Sequence, residues 1–158
     1  MDPEGFDFIY IIDKNSVGRN GHVGVITGPV NGKWQYDSFG KPTPNHRHGQ
    51  YKFDSESNAL DFAKERGYTH FGRWYTTEER DCQAQKEAGA WHSGNGDNYL
   101  MKKKYKVHST NCQALVDNMA MAAGIMDDCT YISFCLPWPI RTMSINILMA
   151  DESGELGQ

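Results

Sequence analysis

Cys112 sits where covalent chemistry is easily arranged. It follows Thr110-Asn111 and opens an apolar-periodic run, with Gln113 three residues after Thr110. A Ser or Thr followed three residues later by Gln or Glu is the capping-box pattern of a helix start, which puts Cys112 in a first helical turn. Unpaired backbone N–H groups and the positive end of the helix dipole lie there. Both favour the thiolate, the nucleophilic form of cysteine. The same N–H groups, with the Cys112 amide, can hold the oxyanion of an acyl intermediate. Such a cysteine attacks acyl carbon, and it needs a base.

His22 is the candidate base. It opens a β-rich run, His22-Val23-Gly24-Val25-Ile26-Thr27, directly after Gly21. Gly21 and Gly24 are expected to leave space in which a substrate backbone approaches the imidazole. A hairpin centred between Pro29 and Val30 sets Asp37 across from His22; a centre shifted by half a residue selects Ser38. Asp37 is the stronger candidate on chemistry, since a carboxylate fixes the imidazole tautomer and stabilises its cation. Each residue also has an ordinary alternative: a core cysteine, a structural histidine, a strand-end aspartate. His108 competes as base only by folding back over the N-cap. His46, His48, His70 and His92 read as solvated loop histidines rather than metal ligands, and no cofactor is expected.

The surrounding pattern supplies elements to position these groups. Phe6 to Ile12 reads as a first strand; His22–Thr27 and Trp34–Phe39 flank the turn-rich Gly28–Lys33 and form an antiparallel hairpin. Lys41 to Gln50 is a polar loop. Asp54 or Ser55 caps a helix that stops at Gly67. Thr76 with Glu79 opens a second helix ending near Gly89. A Gly/Asn-rich loop over Trp91–Asn98 precedes a strand from about Tyr99 to Val107. Cys112, Leu115, Val116, Met119, Ala122 and Ala123 give the third helix one apolar face, closed by Gly124. Met143 to Met149 is a closing strand, and Asp151 to Gln158 a frayed tail. The expected fold class is α+β, an antiparallel sheet packed against helices in a single domain over residues 1–158.

The chain's 158 residues are enough for one self-sufficient core. A net charge of −4 with one short basic run, Lys102-Lys103-Lys104, argues against a nucleic-acid partner. No segment is apolar enough over the required length to span a membrane, and the N-terminus lacks a signal-peptide layout. Cys82, Cys112, Cys129 and Cys135 include no Cys-x-x-Cys pair, which argues against structural zinc; Cys129 and Cys135 are candidates for a disulfide.

Three segments carry a resemblance: Gly21–Gly28, Trp34–Ser38, and Asn111-Cys112-Gln113-Ala114-Leu115-Val116. Together they resemble the circularly permuted branch of the NlpC/P60 papain-like superfamily, which includes the lecithin:retinol acyltransferase-like enzymes. The resemblance implies a permuted papain-like fold, His22 as base and Cys112 as nucleophile, without a cofactor. The family's third member is a polar residue on the second hairpin strand, often His; here only Asp37 or Ser38 can serve. The implied reaction is hydrolysis at an amide, with a lipid ester or acyl transfer as the alternative and a non-enzymatic binding module as the rival class. Asp2-Pro3-Glu4-Gly5 resembles the boundary motif that ends the core of Rhs-type polymorphic toxins. This second resemblance implies a toxin domain released from a carrier, delivered into a target cell and neutralised by a cognate immunity protein.

Overall fold

The structure is a computed structural model that describes residues 5–13, 22–39, 48–93, 112–125 and 150–157. Six strands form one antiparallel sheet: β1 (Asp7–Asp13), β2 (His22–Val30), β3 (Lys33–Ser38), β4 (Gly49–Phe53), β5 (His70–Tyr75) and β6 (Glu152–Glu155). Their spatial order is β4-β3-β2-β1-β5-β6. Three helices are described with them: α1 (Glu56–Glu65), α2 (Glu78–Ser93) and α3 (Cys112–Ala122). The class is α+β.

Both faces of the sheet are covered, which explains why β1 is apolar at consecutive positions rather than alternately. Phe8, Tyr10 and Ile12 join Val23 and Val25 on the face that carries α2 and α3, packed on Leu115, Val116 and Met119. Ile9, Ile11, Ile26 and Tyr36 point the other way, onto Ala59 and Ala63 of α1. The end of α3 is tied to the start of α2 by Arg80, whose guanidinium donates to the Gly124 carbonyl at 3.1 Å. That tie sets the two helices antiparallel, so the last turn of α2 and the first turn of α3 share one end of the molecule.

The helix ends follow local rules. Ser55 caps α1, its hydroxyl accepting from the Asn58 amide at 3.2 Å. The other end of α1 is a Schellman motif: the Gly67 amide donates to Lys64 O at 2.9 Å and the Tyr68 amide to Ala63 O at 3.2 Å. Gly67 takes φ 85° there. Thr77, rather than Thr76, caps α2 by accepting from the Arg80 amide at 3.3 Å. The helix then runs through Gly89 to Ser93, because Ala88 and Trp91 are both buried against the sheet and continue its apolar face.

Three further expectations change. The hairpin turns at Asn31-Gly32, with φ 50° and 71°, as a two-residue turn of the primed kind requires. Val30 pairs Lys33, the register slips before Thr27, and Asp37 then faces Val25 rather than His22. The polar segment ending at Gln50 contributes to strand β4, and β5 was not anticipated. The tail from Asp151 is not frayed: β6 covers the outer edge of β5, with Leu156 buried and the Asp151 carboxylate accepting from the Tyr75 amide at 2.8 Å. The strands expected over residues 99–107 and 143–149 lie outside the described residues, as do Thr110, His46, His108, Cys129 and Cys135. Among the described residues no helix is long and apolar enough to cross a membrane.

Candidate functional site

The start of β2, the end of β3, the start of β4, the last turn of α2 and the first turn of α3 gather at one end of the sheet. His22 is 7% exposed and its Nε2 lies 2.8 Å from Ser38 Oγ. The observed register explains this contact: with Val25 opposite Asp37, strand alternation puts His22 and Ser38 on the same face, and the imidazole reaches the hydroxyl. Of the two residues considered as orienter, Ser38 holds the imidazole.

Ser38 is itself held. Its hydroxyl donates to Val23 O at 3.3 Å and accepts from the Tyr68 hydroxyl at 3.3 Å. Tyr68 and Tyr36 share a bond between hydroxyls at 3.0 Å. The Tyr68 ring flanks His22 at a centroid separation of 5.8 Å. Burial, then the neighbouring Tyr36, pushes the Tyr68 phenol well above its ordinary value, so the phenol stays protonated. The space for substrate expected at Gly24 is not there: a Cβ at this position stands 2.8 Å from the Tyr68 hydroxyl, which fills it.

Cys112 is the first residue of α3 and 2% exposed. It belongs to the cluster on the α2/α3 face with Val23 and Val25, whereas His22, Ser38 and Tyr68 lie on the α1 face. Cys112 and His22 thus stand on different faces of the sheet, towards the same end of it. The Tyr68 ring lies beside His22, and Cys112 is the smallest of the causes that act on its phenol.

Asp37 makes a different set of contacts. Fully buried on the α2/α3 face, its carboxylate accepts from the side-chain amides of Gln35 and Gln50, each at 2.9 Å. His92 Nε2 is 3.5 Å from Asp37 Oδ1, an ion pair when the imidazole is protonated. His92 is thus not a solvated loop residue; it closes α2 and stands beside His48 at a ring separation of 5.5 Å. Burial, and secondarily His92, lowers the His48 pKa from its ordinary value. Among the described residues no three His, Cys, Asp or Glu side chains are grouped to hold a metal ion.

Tyr68 was missed from sequence because one aromatic between a helix stop and a strand has no periodicity. The signal lay in the cap: the residue after a Schellman glycine is commonly apolar and packed back on its helix. Comparison with protein-family models, curated proteins and solved structures finds no match to this chain. The fold and site by themselves define an α+β protein with a hydroxyl-anchored histidine and a helix-initial cysteine at one end of a six-stranded sheet.

Proposed function

We propose that this chain is a cysteine hydrolase acting at an acyl carbon, of the permuted papain-like (NlpC/P60) kind, with Cys112 as nucleophile, His22 as base and Ser38 as the orienter. The observation that carries the reading is the 2.8 Å bond between His22 and Ser38, on neighbouring strands at the end of the sheet where Cys112 opens α3. His22 takes the Cys112 proton, and the thiolate adds to the acyl carbon. Backbone N–H groups at the helix start steady the oxyanion, and His22 protonates the leaving amine or alcohol. A water that gives its proton to His22 then cleaves the thioester, releasing the acid and restoring the thiol. The role we assign is a toxin domain of the Rhs type, delivered by a carrier and paired with an immunity protein; the Asp2–Gly5 motif supports that part.

The test is expression in bacterial cytosol and, separately, in periplasm, with Cys112→Ala and His22→Ala alongside. Killing in one compartment, abolished by both substitutions at equal protein levels, is the expected result. Killing retained by soluble Cys112→Ala protein removes the hydrolase reading. A second reading keeps Cys112 and takes His92 as base with Asp37 behind it, favoured by the 3.5 Å approach of that pair on the α3 face. Under it His92→Ala, and not His22→Ala, abolishes killing.

A further inference from the structure

We infer that Asp13 is a positioning residue for His22: a buried carboxylate set directly across the strand pair from the imidazole, whose charge stabilises the cation that His22 becomes when it takes the Cys112 proton. This role deepens the hydrolase reading and rests on it.

The register of β1 on β2 makes the placement. Asp13, the last residue of β1, is opposite His22, the first of β2. Residues directly opposite in an antiparallel pair send their side chains to the same face, with Cβ atoms about 4.5–5.5 Å apart. Strand alternation agrees. Ile9 and Ile11 precede Asp13 at two-residue steps, Ile26 follows His22 by four, and all three isoleucines belong to the cluster that packs on α1. Asp13 and His22 are both buried, so salt and water screen the pair little. β2 runs between β3 and β1. His22 therefore has Ser38 on one side, 2.8 Å from Nε2, and Asp13 on the other.

Ser38 and Asp13 contribute different things. The serine hydroxyl holds the ring but carries no charge, whereas an imidazolium is stabilised by a fixed negative charge beside it. The proton goes from Cys112 Sγ to His22 and no further; Asp13 takes none. Sequence chemistry gave the carboxylate role to Asp37, but the observed register turns Asp37 to the other face, onto Gln35, Gln50 and His92. The other groups around His22 do not replace Asp13. Tyr68 beside it and Tyr36 behind that are phenols, and α1 turns Ala59 and Ala63 to this face. Cys112 lies on the far face, as does His70 of β5, which is opposite Ile12. Asp7, the other aspartate on this face of β1, is opposite Gly28, about 20 Å along the strand.

The experiment is an NMR pH titration of the His22 ring in the full-length protein as wild type, Asp13→Asn, Asp13→Glu and Asp37→Asn. Asp13→Asn keeps the size of the side chain and removes its charge. It is expected to lower the pH at which His22 takes up its proton by about one unit, which is roughly tenfold in proton affinity. Asp13→Glu is expected to restore most of that loss, and Asp37→Asn, on the other face, to move His22 clearly less. A His22 titration unmoved by Asp13→Asn overturns the inference, as does one moved equally far by Asp13→Glu or by Asp37→Asn. Should Asp13→Asn not fold, wild type decides. The Asp13 carboxyl carbon is expected to show a step in its chemical shift at the pH where His22 titrates, and a flat trace there overturns the inference. These outcomes do not depend on Cys112; a Cys112→Ala protein that still kills would sink the hydrolase reading while leaving the effect of Asp13 on His22 in place.

Discussion

Asp81 gives this fold an unusual dependence on pH. Its side chain is fully buried on α2, and the Thr76 hydroxyl donates to Oδ1 at 2.8 Å. Burial pushes its pKa up from 3.8 to about 7, against the smaller opposing pull of the Thr76 and Gly28 bonds. A carboxyl whose folded pKa is raised holds its proton in the folded state after the unfolded chain has released it. Stability is therefore greatest below about pH 4 for this group and falls as pH rises to about 7. Each pH unit in that window is worth about 1.4 kcal/mol, so the whole window withdraws about 4 kcal/mol. Asp81→Asn keeps an acceptor for Thr76 and, like the protonated acid, places a donor at Oδ2, but it never ionises. Urea unfolding at pH 5 and pH 8 should show the variant gaining on wild type by about 3 kcal/mol more at the higher pH. A gain that is equal at both pH values, or a variant no more stable than wild type at pH 8, would refute the assignment of a buried, neutral acid.

Ser38→Ala should slow the proposed hydrolysis at least about tenfold, from the loss of the bond that orients His22, whereas Asp37→Ala should lower the thermal midpoint, since it strips the Gln35 and Gln50 amides of their acceptor. Arg73→Met removes the guanidinium that pairs with Asp7, 2% exposed, and that also reaches Glu56 and Glu152; denaturant titration should show a loss of about 3–5 kcal/mol, the order expected when one member of a buried ion pair is removed. Ending the chain at Ala150 removes β6 and the burial of Leu156; chemical denaturation should register about 2 kcal/mol, and concentration-dependent association should follow from the bared edge of β5.

The strands and helices nearest the site were legible because strong local chemistry brackets them. Ser55 and Gly67 announce both ends of α1, and the spacing of Leu115, Val116 and Met119 announces the buried face of α3. Register was not legible, because Gly28-Pro29-Val30-Asn31-Gly32 offers several turn centres and only the left-handed conformations of Asn31 and Gly32 select one. That single choice moved Asp37 to the other face of the sheet and brought Ser38 to His22. α2 overran Gly89 because burial of Ala88 and Trp91 outweighs the modest helix penalty of one glycine. β6 was hidden because Glu152-Ser153-Gly154-Glu155 has no strand propensity of its own and exists only as cover for an edge. The polar neighbours of each histidine along the chain carry no sign that His92 ends up beside a buried carboxylate.

The central claim is that His22 activates Cys112, and the direct measurement is the rate of Cys112 alkylation by iodoacetamide against pH, followed by peptide mass spectrometry in wild type and His22→Ala. The account predicts that folded wild type reacts at Cys112 well below the ordinary thiol range of about 8.5, and that His22→Ala abolishes that low-pH limb. A Cys112 that is inert at neutral pH until the chain is unfolded, or that titrates alike with and without His22, would contradict it.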